Sequence, residues 1–367
     1  MRLSIGIVGL PNVGKSTLFN ALSSKQAEAA NYPFCTIEPN VAVVTVPDPR
    51  FGALVAKVQP DKQVAATVDF VDIAGLVKGA SKGEGKGNAF LSHIREVSAI
   101  AHVVRCFEDP NVVHVDGRVD PLADVDTIQT ELVLKDLETV QKRLDKAKKN
   151  SKSGNPKEKK AAELYERLAA ALDGGERASS VSARDDEEAD LVRELFLLTS
   201  KPLFYVANVS ESQIATIDND PLVKQLRARA LAEHTEMAVI CASIEAEIMQ
   251  IPVEERQDFL NSVGLKEPSL HNVIRTGYQM LDLITYFTAG KQEVRAWTIR
   301  KDTKAPQAAG EIHTDFERGF IRAEVIKWQD LIELGSEVAC RTAGKMATEG
   351  KEYVVQDGDV MHFRFNV

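Results

Sequence analysis

Gly9-Leu10-Pro11-Asn12-Val13-Gly14-Lys15-Ser16 is the stretch from which the rest of the chain can be read. It fits the pattern G-x-x-x-x-G-K-[ST], a loop whose backbone N–H groups wrap phosphates. The flanks agree with that reading. Leu3-Ser4-Ile5-Gly6-Ile7-Val8 is a short apolar run that predicts a buried parallel strand, and Thr17 to Ser23 predicts the first turns of a helix. A strand, a glycine loop and then a helix N-terminus put amide donors and the positive end of a helix dipole against anionic oxygens. Lys15 is expected to reach the β- and γ-phosphates as a point charge, and the Ser16 hydroxyl to coordinate Mg²⁺. Asn12, Val13, Gly14 and Thr17 complete the expected phosphate side. The side-chain oxygen of Asn12 could also help to hold K⁺ there.

Working outward, Val41 to Val46, Thr67 to Asp72 and Ile100 to Phe107 each predict a strand, with helical patterns between them. Leu203 to Asn208 and Met237 to Ala242 continue the series much later. Alternation of this kind predicts an α/β fold, a P-loop domain with a parallel-rich sheet wrapped by helices. The gap from about 124 to 200 is an insertion within it. Val133, Leu137, Val140, Leu144 and Ala147 are spaced four and three apart, one apolar stripe close to a heptad. Ser151 to Pro156 breaks the stripe, and Ala161, Leu164, Leu168 and Ala171 resume it. The expectation is an α-helical coiled-coil hairpin. Lys142, Arg143, Lys146, Lys148, Lys149, Lys152, Lys157, Lys159 and Lys160 gather around its tip, and the acidic stretch Asp185 to Asp190 is placed near its base. From about 281 to 367 the pattern changes to a compact α+β domain. The domain limits are therefore 1–280, with 124–200 inserted, and 281–367.

Second to the loop comes Asp72-Ile73-Ala74-Gly75, a D-x-x-G at a strand end. Asp72 is expected to hold Mg²⁺ through water, and the Gly75 N–H to meet the γ-phosphate. Gly79, Gly83, Gly85 and Gly87 follow; so many glycines predict a mobile loop rather than a helix. Thr36, between the two motifs, can close over Mg²⁺ with its hydroxyl. The base-reading element is Asn208-Val209-Ser210-Glu211. Against the N-K-x-D of GTPases it keeps the Asn, replaces Lys with Val and lengthens Asp to Glu. A site built to pair guanine loses strongly when those bonds go unmade, which points to ATP. Cys241-Ala242-Ser243-Ile244 stands where a loop touches the base, with Ser243 in it. Leu76 follows D-x-x-G where many GTPases carry Gln, and it cannot orient a water. His114 has the pKa and reach to do so.

Taken together, G-L-P-N-V-G-K-S, the Asn31 to Asn40 segment, D-I-A-G-L, N-V-S-E and the C-terminal domain resemble the YchF subfamily of the Obg-like P-loop proteins. The similarity covers essentially the whole chain. The resemblance implies a Mg²⁺-dependent ATPase with a coiled-coil insertion and a C-terminal TGS domain of β-grasp fold. It also implies association with the ribosome, large subunit and whole particle, through the basic hairpin and the TGS domain, and it favours a catalytic role for His114. The alternatives are a GTPase with relaxed base specificity, or a nucleotide-gated ribosome-binding protein with little turnover of its own.

Bulk properties narrow the rest. A net charge of −9 leaves no global basic field, so any contact with rRNA must use a local patch such as the hairpin tip. Cys35, Cys106, Cys241 and Cys340 show no paired spacing, which argues against zinc and a disulfide framework. The chain enters its first strand directly after Arg2, and no apolar run is long enough for a bilayer. A cytoplasmic monomer without membrane contact is expected.

Overall fold

The computed structural model describes residues 3–28, 40–73, 86–115, 117–152 and 155–366. They divide into two compact units: the first holds residues 1–24, 38–42 and 69–273, the second residues 25–37, 43–68 and 274–367. Thr36, Gly75, Leu76 and the glycines at 79, 83 and 85 lie outside the described residues.

The first unit is built on a six-stranded sheet. In chain order its strands are β1 (Ser4–Val8), β2 (Val41–Thr45), β4 (Thr67–Asp72), β5 (Ala99–Arg105), β6 (Leu203–Asn208) and β7 (Met237–Ile240). Their spatial order is β2-β4-β1-β5-β6-β7. β1 runs parallel to both β4 and β5, β5 to β6, and β6 to β7. Every residue of β5 and β6 is buried, as in a parallel strand covered on both faces. The last strand is shorter than its apolar run suggests. It stops at Ile240, and Cys241 caps α8 (Ala242–Ile248).

Helices α1 (Lys15–Glu28), α3 (Lys86–Glu96) and α7 (Pro221–Ala232) follow β1, β4 and β6. Gly87 corrects the sequence reading, because it sits in the first turn of α3. First-turn amides lack an intrahelical partner in any case, so a glycine there costs less than one mid-helix.

The insertion is a helical hairpin. α4 (Pro121–Ser151) and α5 (Pro156–Asp173) each begin with Pro behind a side-chain cap, Asp120 and Asn155 respectively. Val133, Val140, Leu144 and Ala147 pack with Ala161, Leu164, Tyr165 and Leu168, and Leu137 joins them half-buried. Asp136 fixes the lower part of α4, accepting the N–H groups of Leu198 (2.8 Å) and Thr199 (2.7 Å) and the Thr199 hydroxyl. The acidic stretch is not at the base. α6 (Asp186–Leu195) starts beside the tip-proximal turn of α5, where Asp185 and Glu187 bracket Lys160 at 2.7 and 2.6 Å. Charge pairing draws the acids towards the lysines. Lys142 also pairs with Glu138 and Lys148 with Glu166, while Lys149, Lys152, Lys157 and Lys159 carry no ion pair among the described residues.

The second unit has its own sheet, ordered β11-β10-β12-β8-β9-β3. Its strands are β3 (Lys62–Val64), β8 (Leu283–Ala289), β9 (Glu293–Arg300), β10 (Phe320–Lys327), β11 (Met346–Glu349) and β12 (Asp359–Phe365). The core packs Tyr286, Phe320, Met361 and Phe363 against Ala305, Ala308 and Ala309, whose small side chains let their helix approach closely. The residues between β2 and β4 cluster here because β3 pairs in parallel with β9, and Arg50, in α2 (Pro49–Val58), holds Asp357 at 2.7 Å. Among the described residues no helix is long and apolar enough to cross a membrane.

Candidate nucleotide site

Five loops of the first unit meet where the strands end. The carboxyl ends of β1, β4, β5, β6 and β7 carry, in turn, the glycine loop, Asp72, residues 107–113, Asn208 and Ala242. In open α/β sheets ligands bind at that edge. A cleft of about 600 Å³ lies there, bordered by Asn12, Thr17, Phe107, Val209, Glu211 and Ser243 among others.

Asn208 holds the cleft together. It is buried, and its Nδ2 donates to Val13 O at 2.9 Å while its Oδ1 accepts from Ala242 N at 3.1 Å. One amide thereby joins the phosphate loop to the loop after β7. Gly14 can only be glycine at this point. Its φ of 100° is left-handed, and a Cβ would collide with Asn208 Nδ2. Asn12 is also left-handed (φ 62°), a conformation Asn tolerates, and its Nδ2 donates to Val113 O at 3.1 Å.

On the phosphate side, α1 carries no acidic residue in its first turn, so nothing of its own competes with an anion for the helix N-terminus. Lys15 is half-buried and its Nζ donates to Leu10 O at 2.6 Å. Burial lowers its pKa to about 8, and the nearby Asp72 carboxylate opposes the shift. Asp72 itself is raised by burial and lowered by Lys15. Ser16 is exposed at the start of α1, and Asp72 ends the strand next to β1, in register with Ile7. Among the described residues no three His, Cys, Asp or Glu cluster as a metal cage. A hydroxyl and one carboxylate suit a hard cation that shares its remaining ligands with phosphate and water.

On the other side of the cleft, Val209 is 2% exposed and its N–H is taken by Ile240 O at 2.9 Å, so this position offers no cationic side chain. Glu211 is exposed at the head of a 3₁₀ segment whose fold depends on Gln213. That side chain accepts from Ser210 N (2.8 Å) and donates to Cys106 O (2.8 Å) and Asp220 Oδ2 (2.7 Å).

The remaining wall, residues 107–112, is not anticipated from sequence. Its organiser is Arg105, 1% exposed at the end of β5. Its guanidinium donates to Phe107 O (2.9 Å), Val112 O (2.9 Å) and Asp109 O (3.3 Å), and stacks on the Phe107 ring. A buried arginine needs such a set of acceptors, and an Arg closing an apolar strand is the one signal that could have revealed it. Val13 contributes its carbonyl rather than its side chain, which is buried. Ser243 borders the cleft as expected. Two histidines stand near this edge. His102, in register with Val8, is held near pKa 3 by burial and then by Lys15 and Arg177, so it stays neutral. His114 does not border the cleft; it is 7% exposed, with Nε2 at 3.1 Å from Asp124 Oδ2 on α4.

A parallel sheet with a glycine loop, a half-buried lysine and an Asn-anchored cleft at its carboxyl edge defines a P-loop nucleoside triphosphatase fold. Within that class the chain belongs to the YchF family. It is 53% identical over 367 residues to "Ribosome-binding ATPase YchF" of Bacillus subtilis (strain 168), and each chain is covered completely. The protein of the same description from Escherichia coli O157:H7 is 52% identical over 369 residues, again with full coverage of both. The solved "Schizosaccharomyces pombe YchF GTPase" superimposes with a TM-score of 0.88 at 40% identity, covering 99% of this chain and 98% of that one. Residues 4–149 match the family "50S ribosome-binding GTPase", and residues 283–366 match YchF-GTPase_C, "Protein of unknown function (DUF933)".

Proposed function

We propose that the chain is a ribosome-associated, Mg²⁺-dependent ATPase whose nucleotide state switches its hold on the translation machinery. The observation that carries ATP over GTP is the buried Val209 followed by Glu211 beside an intact Asn208 anchor. Guanine selection needs a carboxylate at Asp reach and a lysine along the base; neither is here. A GTPase reading draws on the descriptions of the fission-yeast relative and of the matching family, and a competition assay decides between the two. ATP is expected to displace a labelled nucleotide from the purified protein at far lower concentration than GTP. Equal displacement would overturn the assignment. Val209→Lys with Glu211→Asp is expected to move the preference towards GTP.

In this reading Ser16 would hold Mg²⁺ directly and Asp72 through water, with Thr36 joining them, and the ion would neutralise charge on the phosphates. Lys15 and the first-turn amides of α1 are assigned to the phosphates, the Gly75 N–H to the γ-phosphate, and Asn12 Oδ1 to K⁺. His114 is assigned to the attacking water, which gives slow turnover while it stays against Asp124. We further assign 124–200 as the coiled-coil insertion and 281–367 as a TGS domain of β-grasp fold, in a cytoplasmic monomer.

The names of the bacterial relatives and the lysines at the hairpin tip support ribosome binding. Lys149, Lys152, Lys157 and Lys159 face solvent without carboxylate partners among the described residues, so their charge is available to phosphates. Contacts of that kind release counterions, and binding should weaken steeply as salt rises. Charge reversal of Lys149, Lys152 and Lys157 is expected to reduce co-sedimentation with ribosomes and flatten its salt slope, with ATP hydrolysis by the free protein unchanged. An unaltered slope would place the contact elsewhere.

A further inference from the structure

Asn12 and Arg105 pin one side of the loop that ends at His114, and Asp124 pins the other. Val112 O accepts from Arg105 Nη1 at 2.9 Å, and Val113 O accepts from Asn12 Nδ2 at 3.1 Å. Both carbonyls thus face the sheet edge and the phosphate loop. One residue later the imidazole turns away. His114 is buried against Asp124, which is 2% exposed in the first turn of α4. The Val113 side chain between them is 74% exposed, so the chain reverses its facing within two residues. At Gly117, left-handed at φ 76°, the turn closes through its N–H to His114 O at 3.1 Å. A charge-assisted hydrogen bond in a dry setting is among the stronger polar contacts in a protein.

We propose that Asp124 is a positioning residue that stores His114 away from the cleft, so that hydrolysis waits on release of the His114–Asp124 contact. This rests on the reading that His114 acts on the attacking water. Val112 already borders the cleft, so a turn of the two following residues would carry the imidazole towards its rim. Asn12 ties that turn to the phosphate loop, and a ligand at the loop acts on the residue next to His114. Asp124 belongs to the helix whose far end carries the basic tip. α4 has 31 residues, about 45 Å of continuous helix at ~1.5 Å per residue. Its first turn and its tip therefore share one stiff element, and a load at the tip bears on the storage contact.

The stored and released positions form a two-state equilibrium, and weakening the stored one raises the released fraction. Losing a hydrogen bond to a buried carboxylate shifts such an equilibrium by about tenfold or more. The experiment measures single-turnover hydrolysis and ATP Kd on the full chain for wild type, Asp124→Asn, Asp124→Ala, His114→Ala and the double variant His114→Ala/Asp124→Asn. Asp124→Ala is expected to hydrolyse about tenfold faster than wild type with unchanged ATP Kd, and Asp124→Asn to show a smaller rise because the amide still accepts a hydrogen bond. The rise must vanish in the His114→Ala background. Asp124→Asn, close to the native side chain in shape, carries the test should Asp124→Ala fail to fold. A slower or unchanged rate in Asp124→Asn, with His114→Ala slow, overturns storage, because Asp124 would then support the active orientation or do nothing. An equal effect with and without His114 overturns it too, since Asp124 would be acting through the fold. A His114→Ala protein as fast as wild type removes the catalytic reading, and the storage proposal with it.

Discussion

Lys15→Met is expected to cost at least about 100-fold in ATP affinity and to leave no measurable hydrolysis. The estimate follows from losing two hydrogen bonds between charged partners, each worth about 1.5–3 kcal/mol. Methionine keeps the length and apolar stem, so the loop should still close around Val13 and Asn208. What goes is the charge and the Nζ bond to Leu10 O. The same lysine predicts a pH effect. In the empty site burial lowers its pKa to about 8 from an ordinary 10.5. Phosphates favour the charged form and must raise it again, because an anion replaces lost hydration. Below pH 8 Lys15 is already protonated and affinity should be flat. Above pH 8 each binding event takes up a proton, and affinity should fall by up to about tenfold per pH unit. Calorimetry of ATP binding at pH 8.5 to 9, in buffers of different ionisation enthalpy, reads that proton directly. Binding without proton uptake would show that Lys15 is charged before the nucleotide arrives. Lys15→Met should abolish the uptake together with the affinity.

How far the site could be read in advance depended on how local its causes are. Gly14, Lys15 and Ser16 follow one another, and the strand before them and the helix after them are written in the same few residues. The pattern therefore specified both geometry and chemistry. The hairpin was equally plain, because Val133 to Ala147 and Ala161 to Leu168 each carry their periodicity within a single helix. What stayed hidden is long-range. Asn208 reaches Val13 across 195 positions, and nothing in either neighbourhood announces the bond. Arg105 closes a strand whose other residues point to burial alone, yet its three carbonyl acceptors create the wall at 107–112. β3 is only Lys62-Gln63-Val64, too short and polar to read as a strand, and it exists because β9 offers an edge. Charge runs misled for a related reason. The acids at 185–190 look remote from the lysines in sequence, but α6 folds back along α5 and Asp185 meets Lys160. Where a residue's role is set by a partner many residues away, composition and spacing identify the residue type but not the partner.

His114→Ala is expected to lower kcat by about 10²–10⁴ while ATP Kd stays near its wild-type value, the range general-base or positioning residues supply. The two halves of that expectation have separate causes. In the proposed reading affinity comes from the glycine loop, the amides at the head of α1 and the cleft beside Asn208, and His114 belongs to none of these. With its side chain 7% exposed against Asp124, it cannot touch nucleotide in the stored position. Any contribution it makes therefore comes after it moves, in the transition state, which is the signature of a loss in kcat without a loss in binding. The other histidine near this edge cannot stand in. His102 is fully buried in β5 and held near pKa 3, so a proton taken there would be lost at once. His114→Gln keeps a polar side chain able to orient water but removes the imidazole. If His114 only positions the water, that variant should retain much of the rate; if it takes the proton, the glutamine should fall with the alanine. Wild-type turnover in His114→Ala would instead assign the water to a residue outside the described segments, or to a group donated by the partner particle.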